Sequence, residues 1–181
     1  RAFLVYAIAH TESSPKRTEF LATALPELRT LSPRLGAYAQ SVIMLAHVAA
    51  GERQYLPTLS SYLKDKSTSL GNTAFFPADG IPNSWADNAY ESTAYAIRAL
   101  AATDANDPLI EAAVRWLLAH RRGGMWNTTK DTAAVVEAII DMSRRRNDQL
   151  GAYVAKVHIN GALVGTLKVE ASRSGDVMID V

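Results

Sequence analysis

The chain has 181 residues, 48% of them hydrophobic and 20% charged, with a formal net charge of +1 and no cysteine. Such a composition supports a real core in one domain, or one domain with a small companion. It leaves no field favouring nucleic acid or an anionic membrane, no apolar run near the ~20 residues of a membrane span, and no means within this sequence to build a disulfide framework, a thiolate zinc site or a Cys nucleophile.

RAFLVYAIAH starts at Arg1 inside an apolar helical pattern with no capping residue ahead of it, and this helix runs out at His10. Ser14-Pro15 opens a second helix, Ser at the cap and Pro in the first turn, with Phe20, Leu21, Ala24, Leu25 and Leu28 as its apolar stripe, interrupted by Pro26. Ser32-Pro33 repeats that signal for a third helix, Arg34 to Ala50, in which Tyr38, Val42, Leu45, Ala46 and Ala49 recur at helical spacing before Gly51 closes it. The fourth, Glu52 to Lys66, carries Tyr55, Leu56, Leu59, Tyr62 and Leu63 on one side, and Pro57 places its true start close by.

The helical period is lost between Ser67 and Asp87, where Gly71, Pro77, Gly80 and Pro82 punctuate a long loop. Ala74-Phe75-Phe76 and Ser84-Trp85 are candidates to pair as a small hairpin across ADGIPN. Asn88 with Glu91 forms a cap pair for a fifth helix, Asp107-Pro108 opens a sixth, and Thr128 with Asp131 caps a seventh that continues to about Arg146. Helices three, five and seven are Ala-rich with apolar residues on more than one side; the second, fourth and, less sharply, the sixth show a polar face. That alternation fits inner and outer helices of a curved double layer.

After Asn147 the period changes to two. Tyr153, Ala155, Val157 and Ile159 alternate with Val154, Lys156 and His158, Asn160-Gly161 signals a hairpin, and Leu163, Leu167 and Val169 lie on the returning strand. VMIDV, with Val177, Ile179 and Val181 alternating, reads as a further strand. The expected division is therefore 1–147, a curved double layer of helical hairpins, and 148–181, the beginning of an antiparallel β module. The fold class is mainly α with a β C-terminal part, and both ends read as cut from a longer protein.

An internal repeat underlies the helical part. Laying Thr93 on Thr132 brings Leu100 onto Ile139, and laying Leu45 on Leu100 brings Tyr38 onto Thr93. Repeats of this kind belong to stacked helix pairs, in which no pair buries its own face alone.

GGMWNTTKDTAAVVEAI, Gly123 to Ile139, joins a turn, an aromatic anchor, a helix start and an Ala-rich helix, and ESTAYAIRAL, ending at Leu100, repeats its grammar. These two helices resemble the thioester domain of the α2-macroglobulin and complement family, especially its bacterial members. There a Trp-containing turn leads into roughly Thr-x-Asp-Thr, matched by Trp126, Thr129, Asp131 and Thr132; an earlier helix reads roughly Glu-x-Thr-Ala-Tyr-Ala, matched by Glu91, Thr93, Ala94, Tyr95 and Ala96. The order of elements agrees over nearly the whole chain, the specific letters only in these two helices. The resemblance implies a terpenoid-cyclase-like toroid within a large, extracytoplasmic protease-trapping protein, periplasmic or envelope-anchored, whose partners are target proteases and other domains of the same chain. The Cys-x-Glu-Gln thioester motif of that family is absent from this sequence, so no catalytic residue is carried over. Either the sequence starts downstream of the motif, or the parent belongs to a subgroup that lacks it.

The alternative is a toroidal enzyme of terpenoid-cyclase or glycosidase type. RRGGMW has the glycine-then-Trp turn of the cyclases, but WADN is no Asp cluster. A glycosidase needs two carboxylates across a cleft, and Asp79, Asp87 and Glu91 are the candidates, although Glu91 also reads as the capping partner of Asn88 and Asp79-Gly80 as a turn. Ser13-x-x-Lys16 and Ser61-x-x-Lys64 match a nucleophile motif without its partner motifs. His10, His47, His120 and His158 have no ligand spacing, and His47 reads as a packing residue. No cofactor or metal is expected. Arg121-Arg122 and Arg144-Arg145-Arg146 sit at predicted helix C-termini, where the helix dipole favours cations.

Overall fold

The computed structural model describes residues 1–78, 88–146, 153–159 and 161–169. They fall into two compact units, within Arg1–Arg146 and within Asn147–Val181. The first holds seven α-helices among its described residues: α1 (Ala2–Ala9), α2 (Pro15–Leu31), α3 (Ala37–Ala49), α4 (Leu56–Lys64), α5 (Ala89–Thr103), α6 (Pro108–Ala119) and α7 (Thr129–Arg146). A hairpin of β1 (Thr68–Leu70) and β2 (Thr73–Phe75) is inserted between α4 and α5. The second unit contributes the antiparallel pair β3 (Tyr153–Ile159) and β4 (Ala162–Val169), with a register shift between Val157 and His158. No helix among the described residues is long and apolar enough to cross a membrane.

The odd helices form a row. α1 packs on α3, α3 on α5 and α5 on α7, while α2, α4 and α6 fold back on their odd neighbours as a second layer. Composition dictates this division. From Gln40 to His47 every residue of α3 is buried, and so is every residue of α5 from Glu91 to Ala102 except Tyr95, because Ala and Ser let neighbouring helices approach on several sides. The outer helices bury single stripes: Leu21, Ala24, Leu25 and Leu28 in α2, and Leu56, Leu59, Ser60 and Leu63 in α4. α7 carries apolar residues on more than one side, as expected, but only one of those sides is covered. It buries Asp131, Ala134, Val135 and Ala138 toward the core and leaves Val136 and Ile140 exposed.

The predicted helix starts hold where a side chain caps the backbone. Ser14 accepts from the Arg17 amide, Asn88 from that of Glu91, Asp107 from that of Leu109 and Thr128 from that of Asp131. Two starts shift. Ser32–Arg34 is a 3-10 turn and α3 begins only after Gly36, because Gln40 donates to the Ser32 and Leu35 carbonyls and holds that turn apart from the helix. Arg53–Tyr55 is likewise 3-10, and α4 begins at Leu56 with Pro57 in its first turn, where a missing N–H costs no intrahelical bond. Pro26 leaves α2 continuous, and Phe20, expected on its buried stripe, stands exposed.

The described residues show a hairpin on the N-terminal side of Ala74-Phe75-Phe76. Thr73–Phe75 pairs with Thr68–Leu70 across Gly71-Asn72, a two-residue turn that needs the positive φ of Gly71. Ser84-Trp85, the strand expected there, lies outside the described residues, as do Asp79, Asp87, Asn160 and the VMIDV segment. Arg115 of α6 donates to the Asn72 carbonyl and ties the hairpin to the outer layer.

Candidate functional site

The residues singled out by the resemblance gather at the N-terminal ends of α5 and α7. Both helices receive an incoming aromatic residue through a threonine in the first turns. The Phe76 amide donates to Thr93 Oγ1 at 3.0 Å, and the Trp126 amide donates to Thr132 Oγ1, also at 3.0 Å. The repeat that lays Thr93 on Thr132 therefore corresponds to one physical device used twice. Tyr38, the α3 counterpart, meets Tyr95 edge to face with ring centroids 5.0 Å apart.

Trp126 is buried, and its indole N–H donates to the Leu117 carbonyl at 2.8 Å, so the ring closes the turn onto the end of α6. Positive φ at Gly123 and Gly124 lets the chain reverse between α6 and that ring.

Two polar pairs then lock α5 to α7. Asn88 Nδ2 donates to Asp131 Oδ1 at 2.7 Å while Asn88 Oδ1 caps its own helix. Lys130 Nζ donates to Glu91 Oε2 at 2.6 Å. Glu91 is therefore only half of the expected capping box. Its amide uses the Asn88 cap, but its buried carboxylate turns to Lys130 on the neighbouring helix. Asp131 is fully buried, and its second oxygen, Oδ2, has no hydrogen-bond partner among the described residues. Thr129, the first residue of α7, is exposed.

Two turns beyond Glu91, α5 presents Arg98. Its guanidinium meets Asp141 Oδ2 at 2.9 Å, Glu137 Oε1 at 3.0 Å and the Tyr6 hydroxyl at 3.3 Å, and lies 5.4 Å from the Tyr95 ring centroid. Burial works against the charge on Arg98, but Tyr6, Glu137 and Asp141 outweigh it and hold the guanidinium more firmly protonated than usual. Burial pushes the Tyr95 phenol up, and the neighbouring Arg98 charge only partly offsets that. Tyr6 belongs to α1 and Arg98 to α5, so their contact spans α3.

Sequence reasoning missed Arg98 because its partners lie 39, 43 and 92 positions away. It also missed the ring stack of Phe75 on Trp116, with centroids 5.0 Å apart, which Tyr90 and His120 extend. The turn signal Gly71-Asn72 would have placed Phe75 at a strand end and was the available clue.

Lys64, of the second Ser-x-x-Lys match, is engaged in an ion pair with Asp107. Ser61 and Lys64 line an open hollow of about 430 Å³ beside Thr103. Arg146 does more than meet a helix dipole, since it donates to the Ala105 carbonyl and pairs with Glu111. Among the described residues no group of three or more His, Cys, Asp or Glu side chains is placed to hold a metal ion. No family model matches the chain, and no curated protein matches it.

Proposed function

We propose that this chain is a scaffold segment of a protease-trapping protein of the α2-macroglobulin kind, its helical unit forming the later part of an α/α toroid. The observation that carries the reading is the use made of the signature residues. Glu91, Thr93, Trp126, Asp131 and Thr132 all bond to neighbouring turns or helices, so what the resemblance rests on is a set of ties between repeats. The contact of Tyr6 with Arg98 across α3 supports a row that bends toward one side, the curvature a ring requires. The enzyme alternative loses one of its acids, because Glu91 is buried and already bound to Lys130, a poor position for exchanging protons with a substrate.

A trap encloses its protease, and enclosure discriminates by size. The protein carrying this chain, mixed with an active endopeptidase, is expected to suppress cleavage of a folded protein substrate at least tenfold while cleavage of a small chromogenic peptide persists. Equal rates on both substrates with and without the protein, across proteases of differing specificity, would sink the proposal.

A further inference from the structure

The end of α3 carries a fully buried titratable group, His47. α3 closes in a Schellman cap: the Gly51 amide donates to the Val48 carbonyl and the Glu52 amide to the His47 carbonyl, with Gly51 at a φ of 81°. His47 is bound to Glu52 twice, since its ring Nδ1 also lies 2.9 Å from Glu52 Oε2. The ring is fully buried, stands edge-on to Tyr55 at 5.6 Å, and its Nε2 has no hydrogen-bond partner among the described residues. Arg29 of α2 lies over the other ring of the pair, 3.7 Å from the Tyr55 centroid.

We propose that His47 makes this cap a proton-sensitive latch, closed while the ring is neutral and opened when it is protonated. In the closed state Nδ1–H donates to the Glu52 carboxylate and Nε2 keeps its lone pair. Protonation adds a second N–H where no acceptor waits, and a buried unpaired donor with a charge on it is the costly case. The charged groups facing the latch are Glu52 from the turn itself and Arg29 from α2. Arg17 and Arg53 stand nearby, but Arg17 is bound to the Ala9 and Ala49 carbonyls and Arg53 to that of Ala102. Burial is the largest influence on the ring and disfavours its charge, Glu52 favours it, Arg29 opposes it, and the balance lies below the ordinary histidine value.

The sign follows from that balance. The unfolded or opened ring takes its proton as pH falls below 6.5, before the closed ring does. The latch is fully closed above that pH and weakens as pH falls toward the lowered value of the closed ring. Opening would free Glu52 and the 3-10 turn Arg53–Tyr55, and with them the ring on which Arg29 rests and the Arg53 bond to the end of α5.

Amide hydrogen exchange of Glu52 and Gly51 in the full chain, corrected for intrinsic pH dependence, tests the latch. Protection is expected to fall severalfold between about pH 7 and pH 5, a range that brackets the ordinary histidine value, and to become independent of pH in His47→Gln. Constant protection in the parent chain, or an equal fall in His47→Gln, would overturn the proposal. Should that variant fail to fold, the His47 ring proton followed by NMR in the unaltered chain decides. A midpoint below the ordinary value with a concurrent shift at Tyr55 supports the latch, and an ordinary midpoint without one refutes it.

Discussion

Thr93 and Thr132 perform the same task in different surroundings, and the difference sets their worth. Phe76 is fully buried, so the amide that Thr93 receives has no access to water. The Trp126 amide is only partly buried, and Thr132 is itself half-exposed and also donates to the Thr128 carbonyl. Removing a hydroxyl from a buried donor incurs the full desolvation penalty, about 1–3 kcal/mol, whereas a donor that water can reach loses less, about 0.5–1 kcal/mol. Thr93→Val is therefore expected to destabilise the chain more than Thr132→Val, by about 1 kcal/mol in urea denaturation. Equal costs would mean that the two threonines do not serve one device in two degrees of burial.

Between elements, stability in the row depends on ties that join helix ends. Arg17 donates to the terminal carbonyls of α1 and reaches that of Ala49 in α3, and Arg53 reaches the Ala102 carbonyl of α5, so cations meet the negative ends of the inner helices. At the opposite ends, Asn88 both caps α5 and bonds to the buried carboxylate of Asp131 in α7. Asn88→Ala removes a cap, worth about 0.5–2 kcal/mol, and a hydrogen bond to a charged group, worth about 1.5–3 kcal/mol. A double-mutant cycle with Asp131→Ala should show a coupling of about 1–3 kcal/mol; additive costs would place the two side chains in separate roles. The caps themselves were legible in sequence because Ser, Asn, Asp and Thr act within three residues of where they stand. The inter-helix ties were not, since no local period encodes a partner 32 to 92 positions away. β1 escaped notice for a related reason. All three of its residues are exposed, which erases the alternation by which strands are recognised.

For the helical unit as a whole, burial at repeat-equivalent positions decides which faces of the row should cost stability when altered. Laying Thr93 on Thr132 places Ala94, Ile97 and Ala101 of α5 on Ala133, Val136 and Ile140 of α7. In α5 these three are buried; in α7 all three are exposed. The row therefore continues past α5 but is open beyond α7 among the described residues, and equivalent positions in the repeat have unequal surroundings. Ile97→Ala should cost about 2–5 kcal/mol, since it removes packed methylenes and leaves a cavity between helices. Val136→Ala removes methyl groups already in water, and its cost should stay within about 0.5 kcal/mol. Paired urea denaturation of the two variants checks the contrast. A large loss at Val136 would mean that something covers α7 in solution, and a small loss at Ile97 would mean that α5 is not the packed centre on which the double-layer architecture depends.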